Sequence, residues 1–278
     1  MNQLLERLTF TQEDFETIRD LLQEASGINL NPAKQELVYS RLAKRVRELG
    51  LRDFSAYCRR LKSDTEELNR TLNAMTTNVT SFFREAHHFE FLKQTVLPAF
   101  SASIAAKSRP FTVWSAGCST GEEPYSIAMV MRAFFADKPD GQFEITATDI
   151  DSDVLNTARA GIYRMRDVEA LPPETLKRWF LKGSEGNFGK VRVVPEITRL
   201  VRFETHNLKT AELLQPQYDV IFCRNVMIYF DMELRRRIIE GFSRMLRPGG
   251  YLFVGHSESL FGLSDAFEVV GRTIHRRR

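Results

Sequence analysis

The sequence predicts an α/β protein: a Rossmann-like, mostly parallel sheet with a small antiparallel β insert, preceded by an all-α N-terminal domain. Three observations predict it. Between Phe111 and Met131 the hydrophobic period changes from strand-like to helix-like across a turn holding Gly117 and Gly121. Strand and helix patterns then alternate towards the C-terminus, which is how parallel sheets are built. Residues 1–75 hold helical patterns only.

In the first segment, Thr11-Gln12-Glu13-Asp14 has the form of a capping box. Phe15, Ile18, Leu21 and Leu22 follow as an apolar stripe that ends near Gly27. Asn31-Pro32 predicts the start of a second helix with Val38, Leu42, Val46 and Leu49 inward and Gly50 at its end. Two shorter helices, 54–61 and 64–75, complete a bundle. From Lys34 to Lys62 there are nine bases against three acids. Lys34, Arg41 and Arg45 share a face, with Lys44 nearby, so these four could meet an acidic partner helix. A solvated face is the alternative, and so are phosphates, although no aromatic stacking platform accompanies the bases.

Residues 76–100 read as a linker helix capped at Thr80 or Ser81, carrying Phe82, Phe83, Phe89 and Leu92, and closed by Pro98. Arg84 falls in its first turn, where the macrodipole disfavours a cation, so an anionic partner is expected. His87 and His88 are adjacent and are expected to point apart, so no metal is expected there.

The strand, tight loop and helix of FTVWSAGCSTGEEPYSIAMVM come next. Neither the P-loop nor the GxGxxG spacing is present. Glu122-Glu123 stand where a phosphate would otherwise rest, so a nucleotide-like ligand carrying positive charge fits better than a polyanion. S-adenosylmethionine meets that requirement, while the same glutamates would also complement a helix dipole. FEITATDI (143–150) is the second strand, ending in Asp149, 28 residues after Gly121. An acid there accepts ribose hydroxyls in Rossmann-like units. Residues 151–163 read as a helix. Residues 164–198 break the rhythm with a short helix (LPPETLKRWF), a glycine-containing joint and the alternating strand KVRVV. The core resumes with 200–203, Asn207-Leu208, YDVIFC (218–223), a helix over 233–246 stopped by RPGG, and the last strands YLFVGH and FEVVGRTIHR.

Composition bounds the class. The chain has 278 residues, 43% apolar and 27% charged, with a net charge of +3. An ordinary globular protein of cytoplasmic location is expected, with no membrane insertion, since no apolar run reaches about 18 residues. Cys58, Cys118 and Cys223 are too few and too scattered for a disulfide framework or a zinc site.

Five ordered blocks carry a resemblance: TNVTSFFREAHHF (77–89), WSAGCSTGEEPYSIAM (114–129), ATDID (147–151), CRNVMIYFD (223–231) and LRPGGYLFVGHSESL (246–260). With these the chain resembles the bacterial chemotaxis receptor glutamate methyltransferases, the CheR family, over nearly its whole length. The resemblance implies a class I S-adenosylmethionine-dependent methyltransferase fold over 101–278, with a β-subdomain insert at 164–198. It also implies a receptor-docking helical domain over 1–75 and a linker helix over 76–100. By motif position it suggests cofactor contacts from Asn78, Thr80 and Arg84, and from Ala116, Gly117 and Glu122 at the glycine turn. It places Asp149 at the ribose, and Asn207, Leu208, Asn225 and Val226 around the adenosine. Tyr229 falls near the methyl-transfer point, so Arg84 and Tyr229 are the orienting pair. S-adenosylhomocysteine would be the product.

The partners so implied are the cytoplasmic helices of chemoreceptors, docked on Lys34, Arg41, Lys44 and Arg45. Some members of the family hold a receptor C-terminal pentapeptide on this subdomain; here Gly183, Gly186 and Gly189 could supply the loop for it beside KVRVV as a sheet edge, or could simply make a hairpin turn. A monomer without nucleic acid is expected. A glutamate acceptor is ionised at neutral pH and needs no base, so the lack of a His/Asp dyad is consistent with this reading. A nucleic-acid methyltransferase is the rival reading, against which Arg224-Asn225-Val226-Met227 stands in place of an Asp/Asn-Pro-Pro-Tyr sequence. A catalytically silent receptor adaptor is the other.

Overall fold

A computed structural model of the chain describes residues 7–103, 108–136, 143–213 and 217–278. Residues 1–6 and the side chains of 211–213 lie outside that description. The chain divides into two units. One comprises the residues up to Thr77 with Tyr229–Leu234, the other Asn78–Ile228 with Arg235–Arg278.

In the helical unit, α1 (Gln12–Ser26) opens with the expected capping box between Thr11 and Asp14 and ends at Gly27, φ +80°. Phe15, Ile18 and Leu22 are fully buried along its inner stripe. Each such side chain stabilises the unit by roughly 1.5–3 kcal/mol relative to exposure. Asn31 accepts from the Ala33 N–H at 2.9 Å and opens a short 3₁₀ turn, Pro32–Lys34. After it come α2 (Gln35–Glu48), α3 (Phe54–Leu61) and α4 (Thr65–Met75).

Two of the four cations read as a docking face are used inside this bundle. The Arg45 guanidinium donates to both oxygens of Glu67, at 2.9 and 2.6 Å, and Glu67 also accepts from the Tyr57 hydroxyl at 2.8 Å. Glu67 is 2% exposed. Its carboxyl is held below the usual range, first by the Arg45 hydrogen bond, against burial. Arg41 donates to the carbonyls of Ala74, Met75 and Thr76, the orphan acceptors at the end of α4. Helical spacing put the four bases on one stripe, but a stripe facing α4 is partly interior. Lys44 is 87% exposed, and the Lys34 ammonium lies 5.9 Å from the centre of the Tyr229 ring.

The larger unit begins irregularly. Residues 82–86 form turns, so the helix expected from Thr80 or Ser81 starts only at α5 (His87–Phe91). A π-helical turn (Leu92–Val96) passes into α6 (Leu97–Ala102), and Pro98 stands in its first turn rather than closing the run. β1 (Phe111–Ala116), α7 (Glu122–Phe134), β2 (Phe143–Asp149) and α8 (Ser152–Ala160) build the first Rossmann-like unit. α8 stops at Gly161, φ +61°, so Tyr163 belongs to a strand and not to the expected helix.

That strand is β3 (Ile162–Arg164), which with β4 (Phe180–Lys182) and β5 (Lys190–Val193) makes the inserted sheet. The short helix α9 (Pro173–Trp179) precedes β4, and α10 (Pro195–Thr198) leads back to the core. The order is β3-β5-β4, antiparallel throughout. KVRVV is therefore the central strand and offers no free edge, contrary to the sequence reading.

The chain returns through β6 (Val201–Thr205), β7 (Tyr218–Cys223), α11 (Met232–Met245), β8 (Leu246–Val254), β9 (Phe267–Gly271) and β10 (Ile274–Arg277). The main sheet has the order β6-β2-β1-β7-β8-β10-β9, with β10 antiparallel to both neighbours and the pairs from β6 to β8 parallel. β7 is buried at every position, as a strand covered on both faces must be. The order reverses between β1 and β7, and the carboxyl ends of strands at such a reversal form a ligand crevice.

Candidate active site

The loop after β1 is shaped by close approach. Gly117, φ +82°, donates to the Thr148 carbonyl at 2.8 Å, and a Cβ there would lie 2.4 Å from Val226 Cγ2. Gly121, φ +99°, would place a Cβ 2.9 Å from that of Ala158. Only glycine fits either position. The turn is thereby pressed onto the loop that follows β7, bringing together Ala116, Gly117 and Val226.

Asp149 closes β2, 9% exposed, and accepts the Ser119 N–H at 2.8 Å and the Asp151 N–H at 3.0 Å. Burial pushes its carboxyl up, and those N–H groups oppose the shift. Asn78 joins this cluster: its amide donates to Asp151 at 2.9 Å, and its carbonyl accepts from the Ser119 hydroxyl at 3.1 Å. Thr80 is partly exposed in the same segment. At the end of β6, Asn207 turns its side-chain oxygen onto the Lys209 N–H at 3.0 Å, and Leu208 is buried.

The adjacent glutamates at the start of α7 have separate roles. Glu122 is 7% exposed, accepts from the Thr120 hydroxyl at 2.7 Å, and has its carboxyl raised by burial. Together with Thr120, Tyr163, Arg164, Asp167 and Lys190 it lines a cleft of about 390 Å³. Glu123 turns inward, accepting from Ser115 at 2.7 Å and from Arg224 at 3.1 Å.

Arg224, 3% exposed at its side chain, lies 3.5 Å from Glu85 as well and donates to the Arg84 carbonyl. For Glu85 burial alone would raise the carboxyl, but Arg224 and His256 together bring it below the usual range. Arg84 itself lies in a turn, not in the first turn of a helix, so the macrodipole argument for its partner falls away. Its Nη1 donates to the Val79 carbonyl at 2.9 Å. Among the described residues no carboxylate forms an ion pair with it.

His87 and His88 do not point apart as expected. Both face the turn between β9 and β10, with Nε2 at 3.2 Å from the Arg272 carbonyl and 2.9 Å from the Thr273 hydroxyl respectively. With Glu85 they bring three potential ligand atoms within 4.8 Å. The buried Arg224 already supplies the cation beside Glu85, and it disfavours a second one. Burial, followed by Arg224, pushes His88 down to about 3.

Tyr229 belongs to the helical unit, where its carbonyl accepts the Asn29 N–H at 2.9 Å. Sequence reasoning missed three residues of this region: Glu85, Arg224 as a structural cation, and Glu258, which accepts backbone N–H groups from the loop after β7. The signal for Arg224 is a cation directly after a mostly apolar strand that is buried at every position, where a charge has to be met by acids.

Residues 78–276 match the family model described as CheR methyltransferase, SAM binding domain, and residues 13–76 match CheR methyltransferase, all-alpha domain. A chemotaxis protein methyltransferase of Klebsiella aerogenes is 43% identical over 278 residues, covering 98% of this chain and 92% of that one. One from Escherichia coli is 41% identical, covering 98% and 93%. Chemotaxis protein methyltransferase 2 of Pseudomonas aeruginosa is 42% identical, covering 96% and 93%. An all-α domain followed by an S-adenosylmethionine-binding α/β domain, matched along both parts, places the chain in the CheR methyltransferase family.

Proposed function

We propose that the chain transfers the methyl group of S-adenosylmethionine to glutamate side chains of chemoreceptors, forming methyl esters. The observation that carries this reading is Arg84, a partly exposed residue whose guanidinium donates to the Val79 carbonyl and has no carboxylate partner among the described residues. A carboxylate belonging to the ligand would complete it.

The residues present fit the cofactor. Glu122 offers a carboxylate to its ammonium, Arg84 a guanidinium to its carboxylate and Asp149 an acceptor to its ribose hydroxyls. Asn78 and Thr80 border that end, and Asn207, Leu208, Asn225 and Val226 enclose the adenosine. When bound, S-adenosylmethionine supplies a methyl group activated by the sulfonium. An acceptor glutamate, with a pKa of about 4.3, arrives ionised, so the chain's task is alignment and exclusion of water rather than proton abstraction. Tyr229 is the proposed orienting group on the acceptor side.

Receptor docking falls to α2 and the turn before it, with Lys34 and Lys44 as the contact charges and Arg41 and Arg45 as the residues that hold the helix in place. A receptor tail would add to an outer strand of the insert, β3 or β4, and raise the effective concentration of substrate.

Incubating the protein with labelled S-adenosylmethionine and receptor-containing membranes should label the receptors, and mild alkali should release the label as methanol. Alkali-stable label, or label in added nucleic acid, would favour the rival methyltransferase class. No transfer at all would favour the silent adaptor. In the same assay Lys44→Glu should raise the receptor KM a few-fold and weaken its salt dependence. Peptides copying receptor C-termini should compete if tethering operates.

A further inference from the structure

Glu258 is 7% exposed and accepts four backbone N–H groups. Its Oε2 accepts from Asn225 at 2.8 Å and from Gly255 at 2.6 Å. Its Oε1 accepts from Val226 at 2.9 Å and from Met227 at 2.8 Å. Three successive N–H groups converging on one point form the concavity that elsewhere binds an anionic ligand. Here the chain fills it with its own carboxylate, through charge-assisted bonds.

We propose that Glu258 is the positioning residue for the Asn225-Val226 loop, fixing it against the cofactor. The proposal rests on the assignment of those two residues to the cofactor site.

Three features support it. Asn225 has φ +60°, the left-handed conformation that asparagine tolerates better than other non-glycine residues, and this turn points the three successive N–H groups at Glu258. The loop is gripped from both sides, since a Cβ at Gly255 would lie 2.4 Å from Asn225 Nδ2, as one at Gly117 would from Val226. With its N–H groups committed to Glu258, the loop has the Asn225 amide, the Val226 side chain and its carbonyls left for a ligand. A loop free to move by an ångström would carry those groups away and release the glycine turn packed against Val226.

Glutamine tests this without changing shape. Its single oxygen can serve two N–H groups, and its amide nitrogen would then face the other two donor to donor. Glu258→Gln should weaken S-adenosylhomocysteine binding at least tenfold by calorimetry. It should raise the KM for S-adenosylmethionine while leaving the KM for receptor unchanged, and Glu258→Asp should recover part of the loss.

The control for general destabilisation is Asp219→Asn. Asp219 lies at the far end of the same strand, β7, where it accepts from Arg109 at 2.6 Å twice and from the Thr112 N–H at 2.9 Å. That variant should lose stability but keep cofactor affinity. Glu258→Gln binding as wild type, while Asn225→Ala binds weakly, would overturn the clamp. So would an equal affinity loss in Asp219→Asn. Wild-type binding by Asn225→Ala would instead remove the loop from the cofactor site, and the proposal with it.

Discussion

In the helical unit the buried ion pair is closed: Arg45 meets both oxygens of Glu67, and Tyr57 completes the acceptor. In the larger unit a similar element is left open. Arg224 is enclosed between Glu85 and Glu123 and also holds the carbonyl of Arg84, whose own guanidinium donates to the Val79 carbonyl. The first arrangement stabilises a bundle. The second encloses one cation between two acids and leaves Arg84 without a carboxylate among the described residues. A buried charge is informative about function only once its partners are known.

The comparison is sharpened most by breaking the closed pair. Arg45→Ala leaves Glu67 buried without its cation and should cost about 3 kcal/mol of unfolding free energy in urea titration. Methyl transfer per folded molecule should stay near wild type. A stable variant with impaired receptor binding would instead make Arg45 a docking residue after all.

A smaller effect comes from His88, which lies beside the open element. Its folded pKa of about 3 lies below the ordinary value of 6.5. As pH falls through 6.5 the unfolded chain takes up a proton that the folded chain refuses, so this contribution to stability is full above 6.5 and is lost progressively towards 3. Between pH 6.5 and about pH 5 the loss should be about 2 kcal/mol, with half-buried His206 and buried His275 shifted in the same direction. His88→Asn should flatten the dependence of the unfolding midpoint on pH over that window. An unchanged slope would mean that burial does not hold His88 neutral in the folded protein.

The sequence made local features legible and pairings illegible. The glycine turn, Asp149 at a strand end, the Thr11 and Asn31 caps and the alternating inserted strand all follow from backbone conformation or short-range period. The use of Arg41 on the end of α4 does not, because it joins residues 33 to 35 positions apart. KVRVV was read as an edge because alternation identifies a strand but not its neighbours. Residues 80–86 were read as helix because their aromatic spacing suits one, while Phe83 and Glu85 adopt positive φ to bring Glu85 to Arg224. Glu258 sat unremarked in a block whose resemblance was noted, since nothing local distinguishes an acid that will accept four N–H groups from a solvated one.

We propose that Arg84, which has no carboxylate partner among the described residues, holds a ligand carboxylate. Calorimetry with S-adenosylhomocysteine and with its decarboxylated analogue, on the wild type and Arg84→Ala, tests it most directly. The account predicts that Arg84→Ala weakens the parent compound by about tenfold or more, the worth of a charge-assisted hydrogen bond, and leaves the analogue unchanged. Equal weakening of both compounds, or of neither, would contradict it.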